Sequence, residues 1–418
     1  MSLIKICGGR RLDGSVFIQG SKNAVLPILA ASVLNRGECV IHNCPNLSDV
    51  DAAVEILKFI GCGVLREGDT LTVDSSCAEC FSIPDELMLK MRSSVIFCGS
   101  LLARFGEAEI SRPGGCELGA RPVDLHIKAF RSMGTDVSEV HGRIICKGKC
   151  KGGSKIHLDT PSVGATENIM LASVFSDGDT VINNAAKEPE ICDLASFLNS
   201  MGARVLGAGS STIVISGVKE LHNTEYSVLP DRIVAASYMS AVCAAGGNAE
   251  LKGIFYPHIE AVAATLSECG ARISESENSL VIKAQKRLNA SSKISTGPYP
   301  GFPTDAQAVV MAALATADGT SVMTENIFES RFKHVPELSR MGAKIVVNDR
   351  TAVIYGVKKL FGAKVSCTDL RGGAALCVAA LSAEGTTEIN RICHIDRGYE
   401  NIVRDFALLG ADISREDD

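Results

Sequence analysis

Met133-Gly134-Thr135, Met201-Gly202-Ala203, Cys269-Gly270-Ala271 and Met341-Gly342-Ala343 are one phrase written four times. Ile60-Gly61-Cys62 and Leu409-Gly410-Ala411 carry it towards both ends of the chain. The intervals between these glycines are 73, 68, 68, 72 and 68 residues. A second series, a glycine set before a β-rich run, falls at Gly37, Gly106, Gly178, Gly247, Gly319 and Gly385, at intervals of 69, 72, 69, 72 and 66. Two series in phase define six copies of a unit of about 70 residues, longer than a usual solenoid repeat.

Each unit reads alike. An Ala- and Leu-rich helix comes first, as in Ala24 to Leu34, Ala306 to Ala317 and Ala374 to Ser382. A Gly turn and a β-branched strand such as Thr180-Val181-Ile182 follow. A more amphipathic helix then runs to the first-series glycine, as in Asp49 to Ile60 and Ile259 to Cys269. Two short strands close the unit, for instance Ala343 to Val347 and Thr351 to Tyr355. The first helix is apolar nearly all round, so it is expected to be buried on every side, with amphipathic helices and sheets outside it. Three units round such a bundle make one domain, so six make two, and the expected class is α/β. The polar, turn-rich stretch His222 to Pro230 is the expected boundary.

Composition narrows the function classes. The chain has 418 residues, 46% hydrophobic and 22% charged, which excludes disorder. A net charge of −6 argues against a nucleic-acid partner or a polybasic membrane surface. The longest apolar runs, Val309 to Leu314 and Ala374 to Leu381, are far too short for a bilayer span, and Met1 to Lys5 lacks the apolar core of a signal peptide. A soluble, cytoplasmic protein is expected. Sixteen cysteines are scattered through apolar runs, and Cys98, Cys243 and Cys377 read as small core hydrophobes. Cys77-x2-Cys80 and Cys146-x3-Cys150 are the one zinc pattern on offer. The pairs stand 66 residues apart and the second spacing is loose, so surface loop cysteines are the plainer reading and no metal is expected.

The periodicity also locates a site. The first-helix N-termini carry Lys22, Arg92, Ser162, Arg232, Asp305 and Arg371, spaced by 70, 70, 70, 73 and 66. A cation in a helix's first turn opposes the macrodipole by about 0.3–1 kcal/mol. Four at equivalent places point to anionic ligands shared between helix N-termini and cations. Between its two glycines the second unit is the longest, 28 residues against 23 to 25 elsewhere. The excess falls in Arg112-Pro113-Gly114-Gly115-Cys116-Glu117-Leu118-Gly119-Ala120-Arg121-Pro122. Such a loop reads as a lid or reactive segment, and its two arginines favour the Cys116 thiolate.

Longer motifs carry a family resemblance. Gly20-Ser21-Lys22-Asn23-Ala24, Pro113-Gly114-Gly115-Cys116, Gly119 to His126, Leu229-Pro230-Asp231-Arg232, Phe302-Pro303-Thr304-Asp305, Arg331 to Leu338, Thr368-Asp369-Leu370-Arg371 and His394 to Glu400 together resemble the UDP-N-acetylglucosamine enolpyruvyl transferases. The resemblance implies transfer of the enolpyruvyl group of phosphoenolpyruvate to the sugar 3-hydroxyl, the first committed step of peptidoglycan synthesis, with no cofactor and small-molecule substrates as partners. It implies two inside-out α/β barrels of three βαβαββ repeats each, residues 21–230 and residues 231–418 plus 1–20, with the active site in the cleft between them.

Roles follow from the matching positions. Cys116 is implied as general acid and Asp305 as the base near the attacking hydroxyl, with Lys22 and Arg397 completing the catalytic set. Lys22, Asn23, Arg121, Arg397 and Arg371 are implied for phosphoenolpyruvate. Asn23, Arg92, Arg121, Pro122, Val123, Asp124, Leu125, Ser162, Val163, Asp305 and Ile327 are implied for UDP-N-acetylglucosamine. Thr160 stands where some relatives have Lys. Residue chemistry alone leaves another role for Thr304 or Asp305, capping a helix that begins at Ala306. The alternatives are a 3-phosphoshikimate enolpyruvyl transferase, which shares the fold and the cations, and a catalytically silent nucleotide-sugar-binding paralogue.

Overall fold

The computed structural model describes residues 2–111, 123–285 and 287–416. They divide into two units, one of residues 20–111 and 123–229, the other of residues 2–19 and 230–416. Each has its own hydrophobic core.

The second of these units is built round three helices, Arg232–Ala245, Gln307–Leu314 and Leu370–Ser382, each packed on the other two and each buried at every residue. A helix without a polar face has no side to give to water. Its serines are accommodated by bonding back to the preceding turn: Ser237 Oγ donates to the Ile233 carbonyl at 2.9 Å and Ser240 Oγ to that of Ala236 at 2.7 Å. In the other unit Lys22–Ser32, Phe97–Phe105 and Val163–Ser173 take the corresponding places, with Phe97–Phe105 packed on both others. The long helix expected from Ala306 to Ala317 is shorter: a 3-10 turn over Thr304–Ala306 precedes it.

One repeat shows how sheet and helix alternate. Strand Lys155–His157 leads into the buried helix Val163–Ser173 and back to strand Asp179–Asn183, which lies parallel to the first with Ile156 opposite Ile182. The amphipathic helix Pro189–Ser200 follows, then the antiparallel strands Arg204–Leu206 and Thr212–Ser216. This is βαβαββ, and each unit is an inside-out barrel of three such repeats, with three sheets among its described residues. All six first-series glycines sit just after the amphipathic helix with φ between 79° and 106°, a left-handed conformation that a side chain would resist.

Sheets are completed by strands from distant parts of the chain. Leu3–Cys7 lies between Thr386–Asn390 and Asp412–Glu416, antiparallel to both, and Leu12–Phe17 runs parallel to Gly247–Lys252. Thr224–Ser227 runs parallel to Glu38–His42, with Tyr226 opposite Ile41. The stretch His222 to Pro230 is therefore not only the turn-rich boundary it resembles. Its polar flanks hide a strand that finds its partner some 185 residues earlier.

The cysteines need one correction. Cys98, Cys243 and Cys377 are core residues, but so are Cys146 and Cys150, which are not surface loop cysteines. In strand Arg143–Lys147 every second residue faces inward, so Ile144 and Cys146 share the buried face, and Cys146 Sγ lies 3.8 Å from Cys98 Sγ. Among the described residues no group of three or more His, Cys, Asp or Glu could hold a metal ion, and no helix is long and apolar enough to cross a membrane.

Candidate active site

The six equivalent positions all open helical segments. Lys22, Arg92 and Arg232 are the first residues of theirs, Ser162 directly precedes Val163–Ser173, Asp305 lies in the 3-10 turn before Gln307–Leu314, and Arg371 is second in Leu370–Ser382. Two of these helices are capped by aspartates. Asp231 Oδ1 accepts from the amides of Ile233 and Val234 at 2.8 and 3.0 Å, and Asp369 Oδ1 from those of Arg371 and Gly372, both at 3.0 Å.

Asp305 is the centre of the cluster in its unit. Its Oδ1 takes Arg331 Nη2 at 2.6 Å and its Oδ2 takes Arg371 Nη2 at 3.1 Å. Both guanidinium side chains are almost fully buried, at 3% and 4% exposure, while the Asp305 side chain keeps 27%. The same Arg331 nitrogen also donates to the Thr304 carbonyl at 3.2 Å. Neither residue acts as the cap that residue chemistry allowed: the helix's cap position is Ala306, which makes no side-chain cap bond, and Thr304 Oγ1 donates instead to Glu325 Oε2 at 2.9 Å. Burial opposes the charge on Arg371, but the Asp305 carboxylate, Tyr399 and Asp231 outweigh it and hold the guanidinium protonated. Arg371 also lies over the Tyr399 ring at 5.9 Å. Arg397 ends the 3-10 segment Ile392–Arg397 of this unit, and Ile327 is exposed at 39%.

In the other unit Lys22 Nζ meets Asp49 Oδ2 at 2.7 Å, with side-chain exposures of 12% and 3%. That carboxylate, in the first turn of Ser48–Ile60, explains how a lysine is tolerated at a helix start. Asn23 is half-buried beside Lys22, as are Ser162 and Val163 at their helix start. Val123 precedes the helix Asp124–Ser132 and is buried, Asp124 is exposed, and Leu125 is half-buried. His126 is fixed from behind by Asn168, whose Nδ2 lies 2.9 Å from its Nδ1. Cys116, Arg121 and Pro122 lie outside the described residues.

The residues that sequence reasoning passed over are Arg331, Asp49 and Glu325. Arg331 stood inside a quoted motif without a role, and a first-turn aspartate is too common a helix start to single out Asp49. His334 and His394 belong to motifs of the resemblance but were given no role. His394 Nε2 lies 3.3 Å from Arg391 Nη2, whereas His334 is wholly buried.

Burial pushes the His334 ring down to about 4, with nearby Arg331 acting in the same direction and Asp369 opposing. The unfolded chain, with its ring near 6.5, therefore binds more protons between these values, so this residue's contribution to stability falls as pH drops from 6.5 towards 4. Asp193 works the other way in the other unit. Burial raises it to about 6 despite the Tyr226 hydroxyl at 2.6 Å, so its contribution is lost as pH rises through 6. The expected result is a difference effect: His334→Asn gains stability relative to wild type on acidification from 6.5 to 4, by on the order of 3 kcal/mol. Denaturant titrations at several pH values check it, and parallel curves for the two proteins would refute it.

Residues 6–406 match the family model described as EPSP synthase (3-phosphoshikimate 1-carboxyvinyltransferase). The chain belongs to the enolpyruvyl transferase family. Among curated enolpyruvyl transferases it is 52% identical to UDP-N-acetylglucosamine 1-carboxyvinyltransferase 2 of Caldanaerobacter subterraneus over 99% of this chain and 100% of that protein. It is 45% identical to UDP-N-acetylglucosamine 1-carboxyvinyltransferase of Geotalea uraniireducens over 99% of both. Among solved enolpyruvyl transferases, NikO from Streptomyces tendae superposes with a TM-score of 0.86 at 24% identity, covering 99% of this chain and 98% of that one. EPSP synthase from Acinetobacter baumannii superposes at 0.76 and 17%, covering all of both. At such identities these two structures speak for the fold alone.

Proposed function

We infer that this chain transfers the enolpyruvyl group of phosphoenolpyruvate to the 3-hydroxyl of UDP-N-acetylglucosamine and releases phosphate. The observation that carries the reading is full-length identity of 45–52% to proteins of that name, over both chains almost entirely. Its place in a cell is the first committed step of peptidoglycan synthesis.

The chemistry assigns work to named side chains. A proton adds to the methylene carbon of phosphoenolpyruvate, and positive charge develops at the neighbouring carbon. The sugar oxygen attacks that carbon, giving a tetrahedral intermediate. Loss of a methyl proton and cleavage of the carbon–phosphate oxygen bond then release phosphate and restore the double bond. Cys116 serves as the acid and Asp305 as the base for the hydroxyl. Lys22, Arg121 and Arg397, with Asn23 and Arg371, take the phosphate and carboxylate. Asn23, Arg92, Arg121, Pro122, Val123, Asp124, Leu125, Ser162, Val163, Asp305 and Ile327 hold the nucleotide sugar. Support for Asp305 comes from its setting: two buried guanidinium groups fix its orientation while its side chain keeps access to solvent.

A family model described for 3-phosphoshikimate makes that acceptor the competing reading. A shared fold hosts different acceptors, so the acceptor must be tested directly. Phosphate release from phosphoenolpyruvate is measured with UDP-N-acetylglucosamine, with shikimate 3-phosphate and with neither. Release with the nucleotide sugar alone is expected. Release with shikimate 3-phosphate alone would transfer the assignment to that acceptor, and no release with either acceptor would leave only the silent paralogue.

A further inference from the structure

We propose that Glu325 is a positioning residue for this reaction: its buried carboxylate ties the turn that carries Asp305 to the loop that carries Ile327. The proposal rests on the functional reading above and deepens it.

Glu325 follows strand Thr320–Thr324 and is completely buried. A carboxylate there is tolerated only when donors satisfy its oxygens. Four do so. Oε1 accepts from the Thr296 hydroxyl at 3.0 Å and from the amides of Ile327 and Phe328 at 2.8 and 3.1 Å. Oε2 accepts from the Thr304 hydroxyl at 2.9 Å. The two amide bonds alone would describe an ordinary turn after a strand. The Thr304 bond is different in kind, because it reaches another element at the residue directly before Asp305.

The loop returns to that same turn at its far end, where Arg331 Nη2 holds both the Thr304 carbonyl and Asp305 Oδ1. The Thr304–Asp305 turn is thus gripped on its side chain by the start of the loop and on its carbonyl and carboxylate by the end. Asn326, next to Glu325, locks the loop's base: its amide donates to Thr296 Oγ1 at 2.9 Å and its side chain to Ser295 Oγ at 2.8 Å. A shift of Glu325 would move the carboxylate of Asp305 and the Ile327 loop together. Sub-ångström placement of a base is worth large factors in rate.

Two substitutions separate the links. Thr304→Val removes only the hydroxyl facing Oε2 and leaves the loop's amide bonds in place. It is expected to lower kcat on the order of tenfold while leaving KM for UDP-N-acetylglucosamine within about twofold. Glu325→Ala frees the loop as well, so it is expected to lower kcat and raise KM. Glu325→Gln should restore both, because the amide oxygen can keep the three bonds of Oε1 and the amide nitrogen can donate to Thr304. A role confined to folding would lower the yield or the melting temperature without splitting kcat from KM. Crystal structures of the variants complete the test, with Asp305 expected to leave Arg331 or Arg371 in Thr304→Val. Wild-type kcat in Thr304→Val with Asp305 unmoved overturns the proposal, and so does lost turnover with Asp305 unmoved. Absence of turnover in the wild-type protein would instead overturn the functional reading, and the position of Asp305 in the Thr304→Val crystal would still decide this proposal.

Discussion

Asp305→Asn is expected to lower turnover by about 10²–10⁴-fold, the range for loss of a general base. Sequence alone would make this substitution harmless to the fold, since asparagine can cap a helix as well as aspartate does. The structure changes that expectation. The carboxylate holds two guanidinium groups that are nearly out of water, and an amide offers one acceptor where two are used. One arginine is left buried beside an NH2 group, at a cost on the order of 3 kcal/mol. The variant should therefore fold, melt lower and bind the nucleotide sugar more weakly, with kcat falling far more than affinity. Steady-state kinetics with calorimetric binding check it. Turnover within a few fold of wild type would reduce Asp305 to an anchor for Arg331 and Arg371.

Cys116 is expected to be the one cysteine of sixteen that an anionic epoxide of the fosfomycin type alkylates rapidly. The thiolate opens the epoxide ring, forming a carbon–sulfur bond, and the ring oxygen takes up a proton. On the proposed reading Arg112 and Arg121, which flank Cys116 in sequence, would favour the thiolate, and Lys22, Arg121 and Arg397 would hold the phosphonate. Most rivals are poor nucleophiles. Burial pushes Cys39, Cys150 and Cys269 up to about 11 and Cys62 and Cys367 up to about 12, and it raises Cys243 and Cys377 as well. Cys7, Cys77 and Cys393 are exposed and are the competitors for the reagent. Labelling should be faster with UDP-N-acetylglucosamine present and absent in Cys116→Asp. Peptide mapping after brief exposure decides: an adduct on Cys393, or none on Cys116, refutes the assignment.

The repeat was legible because its physics is local. A glycine with positive φ after each amphipathic helix and a helix with no polar face recur at fixed intervals, and both can be read from spacing alone. The pairing of Thr224–Ser227 with Glu38–His42 could not be read, because a parallel partner from elsewhere in the chain leaves no mark on either segment. The candidate site divides in the same way. Lys22 and Arg371 were visible as cations recurring at equivalent helix starts, and Asp305 through the family resemblance. Arg331 was not, since its bond to Asp305 joins residues 26 apart on different elements, and Glu325 looks in sequence like any polar residue after a strand. The burial of Cys146 follows from strand alternation, which a search for metal-ligand spacing overlooks.

The central claim is addition followed by elimination onto the sugar hydroxyl, and one measurement tests it most directly. The protein is incubated with phosphoenolpyruvate and UDP-N-acetylglucosamine in deuterium oxide, and the product is examined by NMR and mass spectrometry. Protonation makes the methylene a methyl group, and elimination removes any one of its three hydrogens. The account therefore requires deuterium in the vinyl group of a 3-O-enolpyruvyl nucleotide sugar. An unlabelled vinyl group, or phosphate released without a new ether at the 3-position, would contradict it.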